Sequence, residues 1–99
     1  MNVQIRGVHC EVPEGLHDYI DKKLLRLKHV EDLIVDLHLA ITEEKKGGST
    51  FEGHAHFRWG TIVHVSVAAF EHHEGIDKLF DKLEPTIDKE KERLQDHRD

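Results

Sequence analysis

Three histidines, His54, His56 and His64, are spaced so that they can act together. His54 and His56 are two apart, so on a strand they project to one side, and His64 follows across a short turn. Three imidazole nitrogens on one surface are a ligand set for zinc or nickel. The plainer alternative is solvated side chains on an open sheet, where either metal binds only adventitiously. His38 adds a fourth imidazole, with Asp36 and Glu52 as neighbours, and such a cluster gains positive charge in mild acid. Other chemistries lack their parts. Cys10 has His9 beside it but no third group to orient the pair. There is no P-loop, dinucleotide turn, Cys-x-x-Cys or nucleophile elbow, so neither an enzyme nor a cofactor is implied.

The elements that must carry these residues follow from periodicity. Asn2 to Arg6 alternates, with Val3 and Ile5 on one side, and predicts a short strand closed by Gly7. Pro13 suits a first helical turn. Leu16, Tyr19, Ile20, Leu24 and Leu27 then form a helical stripe to about Lys28, opposite Lys22, Lys23 and Arg26. Leu33 to Ile41 alternates as a strand with Leu33, Val35, Leu37, Leu39 and Ile41 inward. The segment TEEKKGGST reads as a mobile hairpin tip. Phe51 to Trp59 is a third strand with Phe57 and Trp59 on its apolar side, which favours core packing over base stacking. After a three-residue turn centred on Gly60, IVHVSVA makes a fourth. Pairing Ile41 with Phe51 sets His38 opposite His54, and pairing Phe57 with Val63 sets His56 opposite His64.

From Glu74 to Asp96, Ile76, Leu79, Phe80, Leu83, Ile87 and Leu94 mark one long amphipathic helix. Pro85 falls on its solvent side, where a lost backbone donor is tolerable, so the expectation is one bent helix, kinked on its wet side, rather than two. The polar face mixes Lys78, Lys82, Lys89, Lys91, Arg93 and Arg98 with Asp77, Asp81, Glu84, Asp88, Glu90, Glu92 and Asp96.

Strand, helix and three strands before a last helix give an α+β fold of order β-α-β-β-β-α. The first strand pair is parallel by the crossover rule, the rest an antiparallel meander. The cheapest arrangement is a four-stranded mixed sheet with both helices on one face, burying Val3, Ile5, Val35, Leu37, Leu39, Phe57, Val63 and Val65 beneath Ile20, Leu24, Phe80, Leu83 and Ile87. Lys23 and Arg26 then fall near Lys82 and Lys89 as a shared ridge.

Ninety-nine residues suggest one domain over 1–99, and the formal charge of −6 opposes approach to a polyanion unless cations gather locally. No run is apolar enough for a signal or a membrane span, and a lone cysteine fits a reducing compartment. The expectation is a cytoplasmic protein with no membrane partner.

Gln4-Ile5-Arg6-Gly7, the stretch EVPEGLHDYIDKKLLRL from Glu11 to Leu27, and GIDKLFDKLE from Gly75 to Glu84 followed by Lys89, Lys91, Arg93 and Leu94 resemble the short ribosome-hibernation factors. That family includes the ribosome-associated inhibitor and hibernation-promoting factor. Its fold is the one derived above, similar to double-stranded-RNA-binding domains. The resemblance implies a non-enzymatic stress-response protein, bound in the small ribosomal subunit with helix cations on ribosomal RNA, that stops translation by occupancy. Matched by position, those rRNA-binding cations are Lys23, Arg26, Lys82, Lys89, Lys91 and Arg93. Phosphate contacts need cations, and release of condensed counterions supplies the affinity.

The chain departs from the family pattern in the last helix. KLEPTIDKEK stands where KLERQLKKHK is usual, so Pro85 and Asp88 replace basic residues and Glu90 stands in place of His. EHHE at 71–74 also replaces the usual Asp-Met-Tyr approach. These changes leave a second expectation open: the same fold with its RNA surface lost, serving as a protein-interaction or metal-responsive module through its histidine face.

Overall fold

The computed structural model describes residues 1–96, the last two by their backbone alone. Its elements are β1 (Asn2–Val8), α1 (Glu14–Leu24), a 3₁₀ segment (Leu25–Leu33), β2 (Ile34–Glu43), β3 (Ser49–Phe57), β4 (Ile62–Ala69) and α2 (His72–Asp96). The sheet order is β1-β2-β3-β4, with the first pair parallel and the others antiparallel. The β-α-β-β-β-α order, the mixed sheet and the placement of both helices on one face agree with the expectation.

Each strand reaches further than alternation implied at one end, but β3 stops at Phe57, two residues short of the expected Trp59. β1 continues through Gly7 to Val8, and β2 and β3 stay paired as far as Glu43 and Ser49, leaving residues 44–48 as the hairpin tip. The first helix departs from expectation at its end. Instead of running as α-helix to Lys28, it tightens at Leu25 into a 3₁₀ segment. Leu24, Leu27, Val30 and Leu33 are spaced by three, the period of a 3₁₀ helix, so the tighter coil keeps them on the core side. Leu27 and Val30 are fully buried.

Two expectations about the sheet are corrected. Val35 faces outward, 46% exposed, while Ile34 is buried. A register shift between Ile34 and Asp36 inserts one extra residue there, and such a bulge reverses the alternation on its N-terminal side. In the last hairpin Val63 lies opposite Ala55, not Phe57, which makes His54 the partner of His64 and Ile62 the partner of His56. Phe57 N–H donates to the Thr61 carbonyl at 2.8 Å, and Gly60 N–H donates to the Phe57 carbonyl at 3.0 Å. Gly60 supplies the positive φ of 95° that this longer turn requires.

The core lies between the sheet and α2. Ile76, Leu79, Phe80, Leu83 and Ile87 are buried with Leu37, Leu39, Ile41, Phe51, Ala55 and Phe57, while Leu16, Ile20, Leu27 and Val30 close the other side. Val3, Ile5, Leu24 and Val63 pack at its margin, only partly buried. Helix α2 runs unbroken through Pro85, which is exposed as expected.

At the start of α2 the backbone approaches the sheet closely. A side chain on Gly75 would overlap the fully buried Phe51 ring. Gly75→Ala should therefore destabilise the protein by about 1–2 kcal/mol despite alanine's better helix propensity, because an enclosed ring has nowhere to move. Thermal unfolding should show Tm lowered by roughly 4–16 °C. An unchanged or raised Tm would mean the approach is looser than described.

At the other end of α2, Glu90 is only 8% exposed. It accepts hydrogen bonds from Trp59 Nε1 at 2.9 Å and from Arg93 Nε and Nη2 at 2.8 and 2.7 Å. These bonds tie the β3–β4 turn to the helix. Arg93 first, then Trp59 and Thr61, hold the carboxyl well below its ordinary value of 4.5, at about 2, against the opposing effect of burial. A depressed carboxyl stabilises the fold above its unfolded pKa and loses that contribution as pH falls through its folded one. Glu90→Gln should cost about 1–3 kcal/mol at neutral pH. Between pH 5 and 2, urea unfolding should show a flatter loss of stability in this variant than in the parent; parallel losses would exclude the clamp.

Candidate nucleic-acid interface

The apolar stripe of α2 sets the position of everything else on that helix. With Ile76, Phe80, Leu83 and Ile87 on the sheet, the residues one position later, Asp77, Asp81, Glu84 and Asp88, form the next stripe round, at 100° per residue. That stripe faces α1 and the 3₁₀ segment, which run alongside α2 in the same direction. Lys23 Nζ lies 2.8 Å from Asp77 Oδ1. Arg26 spans two carboxylates, with Nη1 3.0 Å from Asp81 Oδ1 and Nη2 2.8 Å from Glu84 Oε1. His29 Nε2 lies 2.8 Å from Asp88 Oδ1. The Tyr19 hydroxyl donates to Asp77, and the Lys23 ammonium sits 5.3 Å from the Tyr19 ring centroid.

The protonation equilibria follow this geometry. Hydrogen bonding to Asp77 raises the pKa of Lys23, and bonding to Glu84 raises that of Arg26. Lys23 first and Tyr19 second lower that of Asp77, while Asp77 raises that of Tyr19. All these groups keep their charges, or in tyrosine its proton, across the neutral range. The seam is a ladder of four carboxylates against two permanent cations and an imidazole. The expected ridge, with Lys23 and Arg26 beside Lys82 and Lys89, is replaced by this ladder.

The six candidate cations therefore divide. Lys23, Arg26 and Arg93 are each paired with carboxylates. Lys82, Lys89 and Lys91 form no ion pair among the described residues, and the Lys82 ammonium donates to the Ser66 carbonyl at 3.3 Å. Arg98 lies outside the described residues. The seam carboxylates and Tyr19 are what a reading of the cations alone misses. Their signal was present: Asp77, Asp81, Glu84 and Asp88 repeat at four, three and four, beside Lys23, Arg26 and His29 at intervals of three.

The histidine face is also arranged differently from the expectation. His38, His54 and His64 form one row across three strands, and His54 stacks on His64 with ring centroids 4.3 Å apart. His56 sits beside Asp36, its Nδ1 3.9 Å from Oδ2, in the neighbouring row. His54, His56 and His64 thus do not converge on one point, because the hairpin register moves His56 opposite Ile62. Among the described residues, His29, Glu84 and Asp88 do bring ligand atoms within 4.8 Å of one another. Those atoms are engaged in the seam, and the Arg26 cation beside Glu84 opposes a second positive ion. Phe57 is buried and Trp59 stacks on it at 4.8 Å, so both serve packing. No described helix is long and apolar enough to cross a membrane.

Comparison with known proteins places this architecture. A family model described as sigma 54 modulation protein / S30EA ribosomal protein matches residues 3–95. A ribosome hibernation promoting factor from Escherichia coli (strain K12) is 29% identical over 97 residues, spanning 98% of this chain and 100% of that protein. One from Pseudomonas putida is 34% identical over 98 residues, spanning 96% of this chain and 91% of that protein. Among solved structures, a ribosomal subunit interface protein from Coxiella burnetii superposes with a TM-score of 0.82 at 22% identity, covering 92% of this chain and 98% of the other. The N-terminal domain of Thermus thermophilus Protein Y gives 0.73 at 24% identity, covering 88% and 96%. At those identities the two structures speak for the fold alone. With a match that runs nearly end to end and relatives aligned over almost their whole length, the chain belongs to the sigma 54 modulation protein / S30EA ribosomal protein family, that of the ribosome hibernation promoting factors.

Proposed function

We propose that this protein silences translation by occupancy: it binds the small ribosomal subunit in the rRNA-lined channel through the outer face of α2 and the adjoining edge of α1, without catalysis. Family membership supports association with the ribosome. The observation that carries the choice of surface is that Lys82 and Lys89 on the outer stripe, and the half-buried Lys91 beside it, have no carboxylate partner among the described residues. Lysine ammonium groups without carboxylate partners can release phosphate counterions on contact, with no need to read sequence. Lys23, Arg26 and Arg93 join only if phosphates take the place of their carboxylates. Exposed ion pairs contribute only about 0–1 kcal/mol each, so that exchange is accessible to Lys23 and Arg26, whereas Arg93 is held on the buried Glu90 carboxylate.

Cosedimentation with purified small subunits over a range of salt tests the reading. Three phosphate contacts should give a slope of log affinity against log salt of about −2 to −3. Lys82→Glu with Lys89→Glu should abolish pelleting. Absence of any salt-sensitive binding at micromolar protein would sink the assignment and leave the protein-contact reading, which the carboxylate seam favours.

The seam makes a separate expectation. Asp81→Asn with Glu84→Gln frees Arg26 and removes two repulsive charges, so affinity for small subunits should rise about fivefold, on the scale of a ~1 kcal/mol pair. Unchanged or weaker binding would mean that Arg26 does not reach phosphate.

A further inference from the structure

The sheet face away from both helices carries a feature that the helix surface does not use. Gln4, His38, His54 and His64 lie directly opposite one another across β1, β2, β3 and β4, a single row over the whole sheet. Two shallow hollows flank it. One, of about 240 Å³, is floored by Ala40 and walled by Gln4, Arg6, His38, Glu52 and His54. The other, of about 210 Å³, lies among Asp36, His38, His54, His56 and Ile62. The charged and titratable groups around His54 are Arg6 on β1, Asp36 and His38 on β2, Glu52 and His56 on β3, and His64 on β4. With the imidazoles neutral, one arginine faces two carboxylates and the patch is slightly negative. With them protonated, its sign reverses.

We infer that this row is a second, proton-gated surface for an RNA phosphodiester backbone, closed at neutral pH and opened by mild acid. Two imidazoles stacked at 4.3 Å repel when both are charged. A phosphate laid over the row relieves that repulsion, so binding the anion and taking up protons favour each other, and by linkage each strengthens the other. His54 is the limiting group. Its half-buried setting, and then the charges of His64 and His38, hold its pKa below the ordinary imidazole value, while Glu52 acts in the opposite sense. Charge complementarity selects a polyanion over an apolar or cationic partner. RNA is the polyanion that the proposed site on α2 would already bring near. In that respect the inference rests on the ribosomal reading, though the surface itself is on the other side of the sheet.

The test is fluorescence anisotropy of a labelled single-stranded RNA oligonucleotide at pH 7.5 and 5.5, at fixed salt. Three proteins are compared: the parent, a His38→Gln/His54→Gln/His64→Gln variant, and a Lys82→Glu/Lys89→Glu variant. Parent affinity should rise at least tenfold on acidification, the histidine variant should stay within about twofold, and the α2 variant should keep the full rise from a lower baseline. Calorimetry at pH 6 in two buffers of different ionisation enthalpy should show net proton uptake on RNA binding by the parent and less by the histidine variant. Circular dichroism establishes that both variants fold, and a single His54→Gln replaces the triple variant if that does not. An acid-induced gain that survives loss of the three imidazoles overturns the inference, as does no gain in the parent. So does an equal response to inorganic phosphate at matched phosphate concentration, which would make the row a free-anion site. Loss of neutral-pH binding alone counts against the α2 reading and leaves this one standing.

Discussion

The rotational setting of α2 on the sheet is the constraint from which the rest of the molecule follows. Phe51 abuts the backbone at Gly75, and Leu83 lies over Gly53, where a side chain would meet it. Together with Ile76, Phe80 and Ile87, these contacts leave the helix one rotation about its axis. Each apolar position then determines its successors: one residue on, a carboxylate toward the first helix; two residues on, Lys78, Lys82, Pro85 and Lys89 toward solvent. Electrostatics in this protein is subordinate to packing. The charges sit where burial of the adjacent stripe puts them.

That subordination explains how an acidic chain keeps Lys82 and Lys89 on the outer stripe without carboxylate partners among the described residues. Four of its carboxylates are turned toward the first helix and used against Lys23, Arg26 and His29, while the lysines of the outer stripe keep their distance from them. Exposed pairs of this kind add little stability individually, and the apolar stripe does most of the holding. Their larger effect is on register: they align the first helix with α2 and set its cations against the seam carboxylates. Glu90 works the same way at the far end, its charge absorbed by Arg93 and the Trp59 N–H.

Much of this was legible from the chain. Alternation identified all four strands and most of their inward faces, because burial on one side imposes a period of two. It failed at Val35, since one inserted residue reverses a strand's faces without changing its composition. It also failed in the last hairpin, where a slip of two leaves every side chain on its own face and is invisible to the hydrophobic pattern. Only the hydrogen bonds between Phe57 and Thr61 and between Gly60 and Phe57 decide that register. The surroundings of each candidate cation depend on pairs of elements, which periodicity along one element does not specify. Which carboxylate meets Arg26 is set by how two helices lie together, and the three-residue spacing of Leu24, Leu27, Val30 and Leu33, which marks the 3₁₀ segment, went unused.

The proline in α2 has one further bearing on its outer stripe. Pro85 falls midway between Lys82 and Lys89, which are separated by seven residues, or about 10 Å of helix rise. The stripe is a comb with a missing tooth, its cationic charge density low by construction, and any polyanion meeting so sparse a comb would be gripped lightly enough to let go.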